Sequence, residues 1–145
     1  MKRPRPGNVQ EMAIAAVSND VVTALRPTPE AAGAARRALV SQGLAPELDH
    51  TVSLLASEVV SNCVRHAELG PDDRIILAAR LTPDFARVEV RDSGPGFDPG
   101  VRHGASGFGL RMGDTLASRW GVDRDDGTTR VWFEVDRRRR RFDRR

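Results

Sequence analysis

Ser57-Glu58-Val59-Val60-Ser61-Asn62-Cys63-Val64-Arg65-His66-Ala67 is the stretch on which the reading of this chain turns. Eleven residues before it, Pro46 stands where a helix favours proline, in its first turn. From there Leu48, Val52, Leu55, Val59 and Cys63 recur at i, i+4, i+7, i+11 and i+15. That spacing is one apolar stripe at helical period and predicts an amphipathic helix from Pro46 through the quoted stretch. Glu58, Asn62 and His66 follow one another at four-residue steps along the border of the stripe. Polar side chains in that position line the margin of a core, where a cavity can form.

Working outward, Val21 to Leu25 reads as a short strand stopped by Pro27 and Pro29. Pro29 opens a helix that runs to about Gln42, and Gly43 ends it. Beyond the central helix, Gly70-Pro71-Asp72-Asp73 is a turn. Arg74 to Leu81 and Phe85 to Arg91 read as strands joined by Thr82-Pro83-Asp84; Val88 and Val90 alternate with Arg87, Glu89 and Arg91, as in a half-exposed strand. Six of the 13 glycines then fall between Gly94 and Gly109. Leu110 to Ser118 reads as a short helix. Arg119 to Arg124 and Thr129 to Val135 form a final hairpin around Asp125-Asp126-Gly127. Consecutive strands linked by short turns pair antiparallel, which argues against a doubly wound parallel sheet and for an α+β fold. The expected architecture is a two-layer α/β sandwich with helices on one face of a mixed, mostly antiparallel sheet.

At 145 residues the chain is one domain's worth of polypeptide. Residues 1–19 read as an N-terminal arm, 20–136 as the folded domain and 137–145 as an Arg-rich tail. Every apolar run is cut by Arg, Asp or Glu short of a membrane span, and no apolar region follows the basic start, so a cytoplasmic protein is expected. The single cysteine, Cys63, excludes an intramolecular disulfide and a multi-cysteine zinc cage. The net charge of +3 is unevenly placed: Lys2, Arg3 and Arg5 carry +3, the tail carries +6, and the segment between them is therefore −6. Nucleic-acid binding needs a basic patch on the folded body, and this body is acidic, which argues against it.

Three motifs remain: the Glu58–Ala67 helix segment, Asp92-Ser93-Gly94-Pro95-Gly96, and Gly107-Phe108-Gly109-Leu110. Taken singly, each has a bland reading as a solvated helix edge, a turn and a helix cap. Taken together they offer a carboxylate at a strand end, a surface stripped of Cβ atoms, and a helix N-terminus whose free N–H groups favour phosphate. Asn62 adds a neutral oxygen suited to Mg²⁺. Glu58, one turn earlier, adds a carboxylate able to deprotonate a nucleophile. A purine nucleotide with Mg²⁺ needs such a set.

In this order and context the motifs resemble the N box, G1 box and G2 box of the GHKL-type (Bergerat) ATP-binding fold, shared by gyrase, Hsp90 chaperones, MutL, histidine kinases and anti-sigma factor serine kinases. The likeness spans about Val21 to Asp136. It is strongest to the single-domain anti-sigma type, whose E-x-x-x-N-x-x-x-H-A/G helix is similar to Glu58–Ala67 and whose G-T-x-V strand is similar to Gly127–Phe133. The resemblance implies that Asp92 accepts from the adenine amine, with Thr129 beside it, and that Gly94 and Gly96 let the backbone approach the base. It implies that Asn62 ligates Mg²⁺, that Glu58 is the general base, and that Gly107, Gly109 and the N–H near Leu110 frame the phosphates of ATP. It further implies a protein serine/threonine kinase that sequesters a sigma factor and phosphorylates a small anti-anti-sigma antagonist, with a homodimer among the implied assemblies.

One departure bears on activity. Only the ten residues from Phe97 to Ser106 separate the two glycine motifs, whereas several relatives carry a longer lid. Arg102 or His103 is available there for the γ-phosphate. A short lid favours an alternative in which the same fold is an ATP-gated protein-binding switch without phosphoryl transfer. His66 reads as a hydrogen-bonded residue at the helix end, Cys63 as a packed core thiol, and Trp120 and Trp132 as core or interface aromatics.

Overall fold

The computed structural model describes residues 19–92, 116–125 and 127–138. The elements run β1 (Asn19–Leu25), α1 (Ala31–Ser41), α2 (Pro46–His66), β2 (Ile75–Thr82), β3 (Phe85–Asp92), β4 (Arg119–Asp125) and β5 (Thr128–Asp136). Each agrees with the sequence reading to within two residues at either end. Most of the helix expected over 110–118, the residues ahead of Asn19 and the last seven residues of the tail lie outside the described residues.

The strands form one sheet in the order β1-β2-β3-β5-β4. Among the described residues all four pairings are antiparallel, where a mixed sheet was expected, because each strand is paired with a neighbour running the other way. The two described helices pack on one face, so the α+β sandwich stands. The side-chain alternation of each strand decides which face that is. Ile75, Leu77, Ala79 and Leu81 of β2, Ala86, Val88 and Val90 of β3, and Val131, Phe133 and Val135 of β5 are all buried. Asp92 continues the buried set of β3, and Thr129 that of β5. Both polar residues therefore face the helix layer.

The α1–α2 connection explains how the helices lie. Gly43 takes φ 102°, a left-handed conformation that costs glycine little. Its N–H donates to Val40 O, and Leu44 N–H donates to Leu39 O, both at 3.1 Å. This closes the last carbonyls of α1 and turns the chain back for α2. From α2, Leu48, Val52, Leu55, Val59 and Cys63 enter the core, as the helical period predicts, together with Ala56 and Val60. The buried face also takes in Asn62.

The opposite face of the sheet carries charge and one aromatic residue. Trp132 lies under the Arg87 guanidinium, 4.5 Å from its ring centroid, with Arg119 at 5.9 Å. Glu134 accepts from Arg87 at 2.8 Å and pairs with Arg119 at 3.6 Å. Trp132 therefore belongs to the outer face, while Trp120 packs against the core. Across the hairpin, Trp132 is the register partner of Gly121. A Cβ at Gly121 would stand 2.7–2.8 Å from the indole, too close for any side chain. Gly121→Ala is expected to push the indole away from the Arg87 guanidinium and to destabilise the domain by about 1–3 kcal/mol. Urea unfolding followed by tryptophan emission measures both effects.

Candidate functional site

The described residues among those singled out from the sequence, Asp92, Thr129, Asn62 and Glu58, sit on β3, β5 and the C-terminal half of α2. Asp92 closes β3 and Thr129 opens β5, and the antiparallel register makes them direct partners. Each is only 1% exposed. A carboxylate and a hydroxyl thus lie side by side beneath the helix layer. The Thr129 hydroxyl oxygen accepts from Arg124 Nη1 at 3.0 Å.

Helix α2 closes over this pair. Cys63 Sγ approaches Asp92 Oδ2 at 4.0 Å, with both groups buried. The neutral thiol is the hydrogen-bond donor here, and burial, reinforced by the Asp92 charge, pushes its pKa up to about 12. Cys63 is a packed core thiol, as the apolar stripe predicted, and it also contacts the carboxylate expected to read the nucleotide base. Because the thiolate is the reactive form, iodoacetamide at pH 8 is expected to label Cys63 at least ~100-fold more slowly in the native protein than in urea. Mass spectrometry of the alkylated chain measures the ratio.

One residue before Cys63, Asn62 is 5% exposed. Its Oδ1 accepts from Arg65 Nη2 at 2.8 Å. Glu58, one turn earlier, has a side chain 31% exposed, and its Oε2 lies 3.9 Å from the same Arg65 nitrogen. The i, i+4, i+7 spacing of Glu58, Asn62 and Arg65 places all three on one side of the helix. Arg65 was not among the residues expected at the site. Its helical spacing from Asn62 was the signal that could have found it, but an arginine near a helix end reads as solvated until its partner is seen.

Gly94, Gly96, Gly107, Gly109 and Leu110, together with Arg102 and His103, lie outside the described residues. Among the described residues no group of three or more His, Cys, Asp or Glu side chains is gathered for a metal ion. The donor set nevertheless fits a nucleotide carrying Mg²⁺. That ion accepts a single amide oxygen from a protein because phosphates and water complete its octahedron. Asn62 Oδ1 is already presented to a cationic donor, and Asp92 is a buried acceptor suited to an exocyclic amine.

The fold is that of an ATP-binding module of the histidine kinase type. The sequence profile of the histidine kinase-like ATPase domain matches residues 22–135, and the chain belongs to that family, whose fold implies ATP binding. Over 57 residues it is 37% identical to the signal transduction histidine-protein kinase/phosphatase DegS of Bacillus subtilis (strain 168), covering 39% of this chain and 14% of that protein. Among solved structures it is similar to the RsbU and RsbW domains of Rv1364c from Mycobacterium tuberculosis. The TM-score is 0.60 and the identity 23%, over 81% of this chain and 32% of the other. The chain thus spans well under half the length of either relative. Among the described residues no helix is long and apolar enough to cross a membrane.

Proposed function

We propose that this chain binds Mg-ATP at the Asp92–Thr129 end of the sandwich and is a serine/threonine kinase of the anti-sigma type. The observation that carries the reading is the meeting of two sets of groups. Asp92 and Thr129 are buried side by side under the helix that also bears Asn62 and Glu58. Asp92 accepts from the adenine amine and so prefers adenine to guanine, and Thr129 lies beside it. Asn62 lends its amide oxygen to Mg²⁺, and Glu58 takes the proton of an attacking hydroxyl. ATP supplies the phosphoryl group. Gly94 and Gly96 at the base, and Gly107, Gly109 and Leu110 at the phosphates, complete the proposed site.

The proposal extends to a cytoplasmic protein whose ATP-binding domain covers 20–136, flanked by an arm at 1–19 and a tail at 137–145. Its partners are a sigma factor that it sequesters and a small antagonist that it phosphorylates, with assembly as a homodimer. The RsbW domain named in the similar structure supports this choice within the family. The tail begins against the body, since Arg137 pairs with Asp84 at 3.2 Å and Glu47 at 3.9 Å. These contacts lie at the first turn of α2 and the β2–β3 turn, whereas Asn62 is near the other end of that helix.

A second reading is an ATP-gated binding switch without transfer. Beside the short lid, the ion pair between Glu58 and Arg65 favours it, because the carboxylate that would take the proton is already engaged. The deciding experiment combines γ-³²P transfer to a co-purifying partner with the partner's affinity in Mg-ATP and Mg-ADP. Labelling of a serine or threonine is expected. If no partner is labelled yet its affinity changes with the nucleotide, the switch replaces the kinase.

A further inference from the structure

Arg65 stands three residues after Asn62 and seven after Glu58 on α2, and a single guanidinium nitrogen serves both. Nη2 donates to Asn62 Oδ1 at 2.8 Å and lies 3.9 Å from Glu58 Oε2. An amide oxygen and a carboxylate around one positive donor present the oxygen chemistry that a hard divalent cation seeks. The burial of the members differs in an instructive way. Asn62 is 5% exposed, so an oxygen left without a donor there would be costly. The Arg65 side chain is 53% exposed, so it can swing into water at little cost. The buried acceptor is fixed and its cationic donor is replaceable.

We propose that Arg65 is a resident counter-cation that competes with the divalent ion for Asn62 Oδ1 and for the field of Glu58, and so sets how much Mg²⁺ the site requires. The inference rests on the proposed placement of Mg-nucleotide at Asn62. With the nucleotide absent, the guanidinium holds the amide oxygen outward and compensates the Glu58 charge. A divalent ion entering with a nucleotide would displace Arg65, because two cations held around the same oxygen repel each other and the half-exposed guanidinium is the one free to move into water. An internal competitor lowers apparent affinity by the fraction of molecules in which it occupies the site. Removing it should therefore strengthen metal-assisted binding. A guanidinium that gripped the phosphates would give the opposite result on removal.

The test is calorimetric titration of ADP into the full chain, in EDTA and in saturating Mg²⁺, for wild type, Arg65→Ala and Arg65→Lys. The expected result for Arg65→Ala is unchanged affinity in EDTA and affinity about three- to ten-fold tighter in Mg²⁺, the size expected for one partly exposed charged hydrogen bond. Arg65→Lys, which keeps the charge, should stay nearer wild type. Melting curves confirm that the variants fold. An Arg65→Ala variant with an unchanged ratio between the two conditions overturns the competition while leaving the nucleotide site intact. Loss of affinity in both conditions overturns it in favour of a phosphate contact. A wild type that binds ADP equally in EDTA and Mg²⁺ overturns both the competition and the metal at Asn62.

Discussion

Glu58→Ala is expected to slow phosphoryl transfer by ~10²–10⁴-fold, the usual cost of losing a general base, while ATP affinity is retained. Glu58 and Asn62 are one helical turn apart, about 6 Å along the axis. If Asn62 Oδ1 holds the metal, Glu58 would stand within reach of the phosphates and could take the proton of a hydroxyl arriving in line. The substitution removes a proton acceptor and no metal ligand. Its structural cost is small, because the Arg65 partner is more than half exposed and such pairs contribute little to stability. The measurement is the single-turnover rate of γ-phosphate transfer to a purified antagonist, beside an ATP titration of the same variant. Asn62→Ala separates the roles, since it should weaken Mg²⁺-dependent binding and transfer together. Transfer at the wild-type rate in Glu58→Ala would remove Glu58 from the mechanism.

Asp92→Asn is expected to weaken ATP binding by roughly 10–100-fold, the equivalent of one charge-assisted hydrogen bond. The reason lies in counting acceptors. As a carboxylate, Asp92 can accept from the Cys63 thiol at Oδ2 and still offer acceptor capacity to an adenine amine. An amide has one oxygen for both donors and turns its NH₂ group toward the other. The fold should tolerate the change, because it removes a buried charge, and the melting temperature is expected to hold or rise. GTP affinity should remain below that of ATP in the wild type. Calorimetry with ATP, ADP and GTP provides the readout, and an Asp92→Asn variant with wild-type ATP affinity would sink the assignment. The Cys63 thiol offers an independent check: its pKa is raised first by burial and second by the Asp92 charge. In Asp92→Asn it should titrate lower than in wild type but above an exposed thiol, and alkylation rate against pH would follow the shift.

Much of this molecule could be read from local chemistry. Helix α2 was legible because five apolar residues from Leu48 to Cys63 repeat at its own period, and α1 because Pro29 and Gly43 mark its ends. Strand β3 was legible from its alternation, β2 from the apolar run that a three-residue turn separates from it, and the β4–β5 hairpin from its Asp-Asp-Gly bend. These signals are carried by neighbours within a few residues, so no tertiary contact is needed to see them. Asn62 and Glu58 could be placed on one side of a helix for the same reason.

Tertiary structure decided what faces what. The sheet order β1-β2-β3-β5-β4 sets β5 directly against β3, which makes residues 92 and 129 neighbours although 37 positions separate them in the chain. The approach of Cys63 to Asp92 spans 29 positions and depends on how α2 lies across the sheet, which side-chain packing determines and no periodicity encodes. Trp132 reads as an aromatic of the hairpin in sequence; only the pairing with Gly121 and the position of Arg87 put it on the outer face. Arg65 shows where the boundary between the two falls. Its spacing from Asn62 is written in the chain, but its hold on that oxygen follows from burial: packing takes Asn62 out of water, and a buried acceptor must then find its donor within the protein.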